Sequence, residues 1–110
     1  MMAVIFEVTV KEGVGQRYFD LAAELRPELQ KVDGFLSIER FESLANPGKY
    51  VSLSFWRDED AVAAWRSHEG HMLAQDEGKR AVFADFRISV AEVKRQYTLA
   101  DRVSQAKPVS

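Results

Sequence analysis

The 110-residue sequence contains no cysteine, only two histidines and three prolines, and no block of basic residues. Without cysteine, the chain cannot form a disulfide framework, use a thiolate nucleophile or bind a metal through sulfur. Fifteen basic and seventeen acidic residues give a net charge of −2. Because no basic cluster could neutralise a run of phosphates, we expect no nucleic-acid binding.

Long apolar runs are also missing, and no segment approaches the length needed to span a membrane. The N-terminal segment has no basic residues at its start, and Glu7 interrupts its apolar run. We therefore expect no signal peptide and a cytoplasmic location. What the chain does contain, 46% hydrophobic and 29% charged residues, is typical of one globular domain.

Hydrophobic periodicity divides most of the chain into strands and helices. In the first helix, Pro27 should kink or shorten the pattern because it lacks an N–H. Pro47 and Gly48 suit a tight reversal between the second and third strands, which predicts a β-hairpin. The elements of this part of the chain are predicted at 3–10 (strand), 16–31 (helix), 35–44 (strand) and 50–56 (strand).

The second half begins with a helix that Asp58 should cap and that turns Ala61, Val62 and Trp65 inward. Glycines at 70 and 78 predict that this helical region is broken into pieces. A long last strand is predicted over 83–97, with a bulge near residues 91–92 where the alternation loses phase. Residues 98–110 show little periodicity, which predicts a mobile tail or an arm that a partner orders.

The resulting order, β-α-β-β-α-β, predicts a ferredoxin-like α+β domain over residues 1–97, followed by the tail 98–110. Two helices can cover only one face of the sheet, and a monomer seldom leaves an apolar patch on the other. We therefore expect a homodimer that pairs the two open faces. The residues from which the exposed patch should come are Ile5, Phe35, Phe41, Tyr50, Trp56 and Val93.

Several segments resemble the antibiotic biosynthesis monooxygenase domain family. They are Phe-Trp-Arg-Asp-Glu-Asp-Ala at 55–61, Ala-Trp-Arg-Ser-His-Glu-Gly-His at 64–71, Ala-Gln-Asp-Glu-Gly-Lys at 74–79 and the last strand at 83–97. The resemblance implies a dimeric α+β barrel with one pocket per subunit, between the sheet and the second helical region. It also implies one of several activities: oxygenation of polyketide phenols or anthrones, oxidation of quinols, or breakdown of haem.

The resemblance to the haem-degrading members is incomplete. Trp65 matches their tryptophan, but Gln75 stands where they carry a histidine, and the first strand has no asparagine. Haem is therefore disfavoured, and no cofactor is expected. His68 and His71 are one residue closer together than the histidines of the H-E-x-x-H zinc motif, and no third ligand is evident, so no metal is expected either.

The candidate site residues cluster in the second helical region. His68 or His71 could act as the base that takes a proton from a phenol or quinol, or each could simply hydrogen-bond to backbone or a partner subunit. Trp65 could stack on an aromatic substrate, as the resemblance implies, or belong to the core. Met72 should line a pocket beside His71.

Two further residues complete the predicted substrate-binding set. Phe6 lies on the first strand, and Arg87 lies mid-strand, where it could pair with Asp85 or a glutamate or bind an anionic intermediate. The function predicted first is a cofactor-independent monooxygenase that uses O₂ on a small aromatic substrate. The alternatives are a non-catalytic small-molecule-binding or stress-related dimer and, third, a protein that binds or degrades haem.

Overall fold

The computed structural model describes residues 1–10, 13, 15–74 and 86–106, with the side chains of all of these except 71–74 and 103–106. The strands are β1 (Met2–Thr9), β2 (Phe35–Glu42), β3 (Lys49–Trp56) and β4 (Phe86–Glu92), and the helices are α1 (Gly15–Gln30), α2 (Glu59–Ala74) and α3 (Leu99–Ala106). The strands form one antiparallel sheet in the order β2-β3-β1-β4. This is the predicted ferredoxin-like arrangement. Within the described residues, no helix is both long and apolar enough to cross a membrane.

Helix α1 packs on the sheet through the predicted apolar stripe. Its buried residues, spaced three or four apart, are Tyr18, Leu21, Ala22, Leu25 and Leu29. Pro27 lies between the last two of these and faces outward, and the helix continues past it to Gln30. The prediction that Pro27 shortens the helix is therefore wrong, because the apolar stripe on the opposite side holds the helix against the sheet.

The hairpin between β2 and β3 is confirmed. The Lys49 N–H donates to the Asn46 carbonyl at 3.1 Å, and the Ser43 N–H donates to the Lys49 carbonyl at 2.9 Å. Gly48 has φ +83°, a conformation that glycine adopts without steric cost. The turn pairs β2, at the edge of the sheet, with β3, the next strand along the chain.

The core lies between the helices and one face of the sheet. Its largest fully buried side chains are Trp56, Tyr18 and Val8, and Tyr50 and Phe35 pack against the same cluster. Of the six residues from which some were predicted to form the open face, Trp56, Tyr50 and Phe35 therefore belong to the core side instead. Strand alternation instead places Val51, Leu53 and Phe55 on that face, beside the predicted Ile5 and Phe41.

Helix α2 begins as predicted, because the Asp58 carboxylate accepts a hydrogen bond from the Ala61 N–H at 2.9 Å. Ala61, Val62 and Trp65 are buried, as predicted. The helix then runs through Gly70 to Ala74 without a break, so the prediction of a break at Gly70 is wrong. Gly78 lies outside the described residues.

The chain after β4 differs from the prediction. The described part of β4 pairs with β1 in one unshifted register up to Glu92, so the bulge predicted at 91–92 is absent there, and no strand continues to residue 97. Helix α3 follows, and it begins with a reciprocal cap in which Thr98 and Asp101 each accept the other's backbone N–H. Residues 99–106 are therefore helical, where the sequence predicts no regular structure.

Candidate active site

A cleft opens between the helix-covered face of the sheet and helices α1 and α2. Its enclosed volume is about 60 Å³, and the remaining space opens to solvent. All four strands and both helices contribute to its walls, and most of the lining side chains are apolar. The polar side chains that line it are Ser52, Ser54, Arg66 and Glu69.

Two periodicities bring these side chains together. On the sheet, alternate residues point to the same face, so Phe6 of β1 and its register partner Ser52 of β3 share the cleft floor. On α2, residues three or four apart share one side of the helix. That side carries Val62, Trp65, Arg66 and Glu69, all of which line the cleft.

Trp65 belongs to both the core and the cleft wall. Its side chain is 8% exposed, and its ring stacks on Trp56 with the centroids 6.4 Å apart and the planes at 26°. The two predicted roles, packing and ring contact with a substrate, are therefore compatible in geometry. A flat substrate in the cleft would meet an indole that is already held in place by a second indole.

The floor of the cleft is built on small hydroxyl residues. The Trp56 indole N–H donates to the Ser54 Oγ at 2.9 Å, and that hydroxyl lies 3.5 Å from the Val4 carbonyl oxygen. Ser52 and Ser54 are 7% and 4% exposed. Ser54 thus satisfies the buried indole N–H of Trp56, which would otherwise be a costly unpaired donor.

Glu69 is the residue that the sequence patterns did not single out. It lies one helical turn after Trp65, half-buried in the cleft wall, and burial raises the pKa of its carboxyl above the ordinary value. The positive charge of Arg66 and a hydrogen bond from the Trp65 indole oppose that shift without cancelling it. The signal in the sequence was the spacing of four from Trp65 on the inward side of α2.

The predicted histidines are placed differently. His68 does not line the cleft; its Nε2 lies 3.2 Å from the Glu28 carboxylate of α1, and its side chain is 44% exposed. Its ring contacts Trp65 at a centroid distance of 5.9 Å. His71 and Met72 lie in the last turn of α2, but their side chains are outside the description, as is Gln75.

Arg87 lies on the open face of the sheet, away from the cleft. Its Nε and Nη2 donate to the Glu7 carboxylate at 2.6 and 2.9 Å, and Lys49 Nζ lies 3.3 Å from the same carboxylate. This bidentate contact, together with Lys49, lowers the pKa of Glu7 to about 2. The structure therefore brings Phe6 and Trp65 together at the cleft and confirms that Arg87 pairs with a glutamate.

The chain is a ferredoxin-like α+β domain with a small, mostly apolar cleft between its sheet and its helices. Residues 1–77 match the model of the family described as "Antibiotic biosynthesis monooxygenase". The chain belongs to this family. The membership confirms the resemblance seen in the sequence.

Individual relatives agree with the assignment. The chain is 42% identical over 93 residues to "Jasmonate monooxygenase ABM" of Pyricularia oryzae, a match that covers 84% of this chain but only 43% of that protein. A crystal structure from Deinococcus radiodurans has a TM-score of 0.75 at 18% identity, covering 90% of this chain and 98% of the other. SnoaB of Streptomyces nogalater, described as a cofactor-independent oxygenase, has a TM-score of 0.71 at 17% identity over 86% and 94% of the two chains. At these identities, the two solved structures support the fold alone.

Proposed function

We propose that this chain is a monooxygenase domain that uses O₂, without flavin or metal, to oxidise a small aromatic substrate such as a quinol or an anthrone. The observation that carries the proposal is the cleft itself, in which an indole ring and a half-buried carboxyl lie side by side on α2 in a mostly apolar lining. Family membership supports the class of reaction. The name of SnoaB is consistent with chemistry that needs no cofactor.

The chemistry suits a substrate that supplies its own electrons. For an anthrone, the overall reaction is anthrone plus O₂ giving anthraquinone plus water. A base first takes one proton from the activated methylene, and the resulting anion transfers one electron to O₂. The radical pair combines to form a C–O bond, and protonation gives a hydroperoxide.

Loss of water from that hydroperoxide completes the reaction. The second methylene proton leaves carbon, the O–O bond breaks, and the departing hydroxide is protonated to water. Carbon has then lost four electrons and O₂ has gained four, so no external reductant is needed. The protein's part is to exclude water, orient the ring and hold the protons, which a largely apolar cleft with few polar groups can do.

Oxygen uptake tests the proposal directly. The purified protein, treated with chelator, would be given anthrone or 1,4-naphthoquinol, and O₂ consumption would be compared with the spontaneous rate. Trp65→Phe should lower kcat/KM about 5- to 30-fold, as expected for losing a ring contact and a hydrogen bond worth about 1–2 kcal/mol. Tyr97→Phe, at an exposed tyrosine far from the cleft wall, is the matched control and should leave the rate unchanged.

The same panel separates the alternatives. Binding of the aromatics without any O₂ uptake above the spontaneous rate would refute the monooxygenase proposal and favour the non-catalytic binding protein. The relative at 42% identity is named a jasmonate monooxygenase, so jasmonate is included as a non-aromatic compound. Turnover of jasmonate but of neither aromatic would reject the aromatic substrate class while keeping the oxygenase.

We also propose that the domain works as a homodimer formed through the open face of the sheet. Val51, Leu53 and Phe55 lie on that face half-buried, and Phe41 is 47% exposed. An apolar surface of this kind is unusual on a monomer. Light scattering on the purified protein should give twice the mass of one chain, and Leu53→Glu should give a monomer; a monomeric wild-type protein contradicts the proposal.

A further inference from the structure

We infer that Glu69, in the wall of the cleft beside Trp65, is the proton acceptor of the proposed reaction. This inference rests on the proposed function and names the residue that performs its first step. It does not follow from the sequence patterns, which favoured a histidine.

Location is the first support for this assignment. Glu69 lines the cleft together with Trp65, its neighbour one turn earlier on α2. A substrate ring placed against the indole would therefore lie next to the carboxyl. A general base must reach the proton that it removes, and Glu69 is the carboxylate that the cleft wall provides.

The surroundings of the carboxyl are the second support. The residues that face it across the cleft from β1 and α1, such as Phe6 and Leu25, are uncharged, and the floor adds the hydroxyl of Ser52. Within the described part of the lining, Arg66 is the other ionisable side chain. Partial burial among such neighbours makes a carboxylate a stronger base than it is in water, because the charged form loses solvation.

The candidate histidine that the structure describes is less well placed. His68 is paired with Glu28 and lies outside the cleft lining. Its Nε2 lies 3.2 Å from a carboxylate of α1 and not in the lining that holds Trp65 and Glu69. The side chain of His71 is not described, and for this reason the test below measures the contribution of Glu69 directly.

One carboxyl can move every proton in the sequence. Glu69 takes the first proton from the substrate and becomes neutral, and the substrate anion is then oxidised by O₂. The neutral carboxyl returns its proton to the peroxide oxygen, which gives the hydroperoxide. Glu69 then takes the second proton from carbon and passes it to the departing hydroxide, so that water leaves and the carboxylate is restored.

Glu69→Gln removes the proposed base and keeps the size and shape of the side chain. Glutamine has nearly the same size and shape as glutamate, so the variant should fold, which circular dichroism would verify. We expect kcat for anthrone oxidation to fall about 10²- to 10⁴-fold, the usual contribution of a general base, with KM changed only a few-fold. Glu59→Gln, an exposed carboxyl at the start of the same helix, should leave the kinetics unchanged.

The pH dependence adds a readout that a purely structural role would not affect. In the wild-type protein, kcat/KM should rise with pH through the pKa of Glu69 and then level off. The Gln variant should lose that limb, and Glu69→Asp should keep it at a reduced rate. A carbon-detected NMR titration of the Glu69 carboxyl should give a pKa that matches the kinetic limb and lies above the ordinary value of a glutamate.

The outcomes distinguish this inference from the function on which it rests. If the wild-type protein consumes O₂ and the Gln variant does so within three-fold and with the same pH profile, Glu69 is not the base, although the oxygenase stands. A Glu69 pKa at or below the ordinary value of a glutamate would also overturn the assignment. If the wild-type protein consumes no O₂ with either aromatic, the proposed function fails and the assignment fails with it.

Discussion

Replacement of Gly34 by alanine tests how α2, the helix that carries Trp65 and Glu69, is seated on the sheet. Gly34 has φ +95°, and a Cβ built on it would lie 2.7 Å from the Cβ of Ala61 in the first turns of α2. The Gly34 carbonyl also accepts a hydrogen bond of 2.7 Å from the Arg57 N–H. The backbone before β2 is therefore pressed directly against the beginning of the helix.

Two costs add in the Gly34→Ala protein. A left-handed conformation costs a residue with a Cβ about 1–2 kcal/mol, and overpacking a tight contact costs about 1–3 kcal/mol. We expect the free energy of unfolding to fall by roughly 2–5 kcal/mol in total. Urea denaturation measures it, because the change appears as a lower midpoint at constant slope.

Gly48→Ala is the matched control. Gly48 also has positive φ, at +83°, but its added Cβ would meet nothing closer than the Val10 carbonyl oxygen at 3.6 Å. It should therefore show only the conformational cost of about 1–2 kcal/mol. Ala61→Gly should recover part of the loss when combined with Gly34→Ala. Equal losses for the two glycine variants, or no coupling with Ala61→Gly, would refute the close-contact explanation.

Two further predictions concern the open face of the sheet and the core. The pKa of Glu7 is lowered from its ordinary 4.5 to about 2 by Arg87, so this carboxylate stabilises the fold above pH 4.5 and the contribution is lost as the pH falls towards 2. The Tm of Glu7→Gln should be below that of the wild-type protein at pH 6, and the two Tm values should converge near pH 2. Glu59→Gln, the control, should show no such convergence. Parallel plots of Tm against pH for the wild-type and Glu7→Gln proteins would contradict this reasoning. Trp56→Phe should destabilise the fold by about 1–3 kcal/mol in urea, because it leaves a gap and removes the hydrogen bond to Ser54. If the Trp56→Phe and Ser54→Ala effects simply add in the double variant, that hydrogen bond contributes nothing.

The predictable part of the fold is the part that local pattern determines. The stripe on α1, the hairpin turn and the Asp58 cap depend on residues close together in the chain, and each was found where the sequence placed it. The third strand could not be oriented in this way. Its apolar alternation, Val51, Leu53 and Phe55, lies on the open face, while Ser52 and Ser54 face the helices.

The candidate site, like the fold, was predicted only in part. Trp65 and Phe6 were predicted to bind substrate, and the structure places both at the cleft. Glu69 was not predicted, because a glutamate in a helix with several acidic residues is ordinarily a solvated side chain. Its significance depends on what β1 and α1 place opposite it, which no spacing within α2 reveals. The contact between His68 and Glu28 likewise joins two helices distant in sequence.

The serines on the inner face of β3 have a consequence for substrate range. Large apolar side chains at these positions would fill the space between sheet and helices, so the size of the binding site is set largely by two small residues in the middle of one strand. Ser54 accepts a hydrogen bond from the Trp56 indole. Replacing Ser52 by a larger or smaller residue would therefore disturb this hydrogen bond less than replacing Ser54 itself. A larger side chain at position 52 would therefore narrow the cleft from its floor without requiring the two helices that cover it to move.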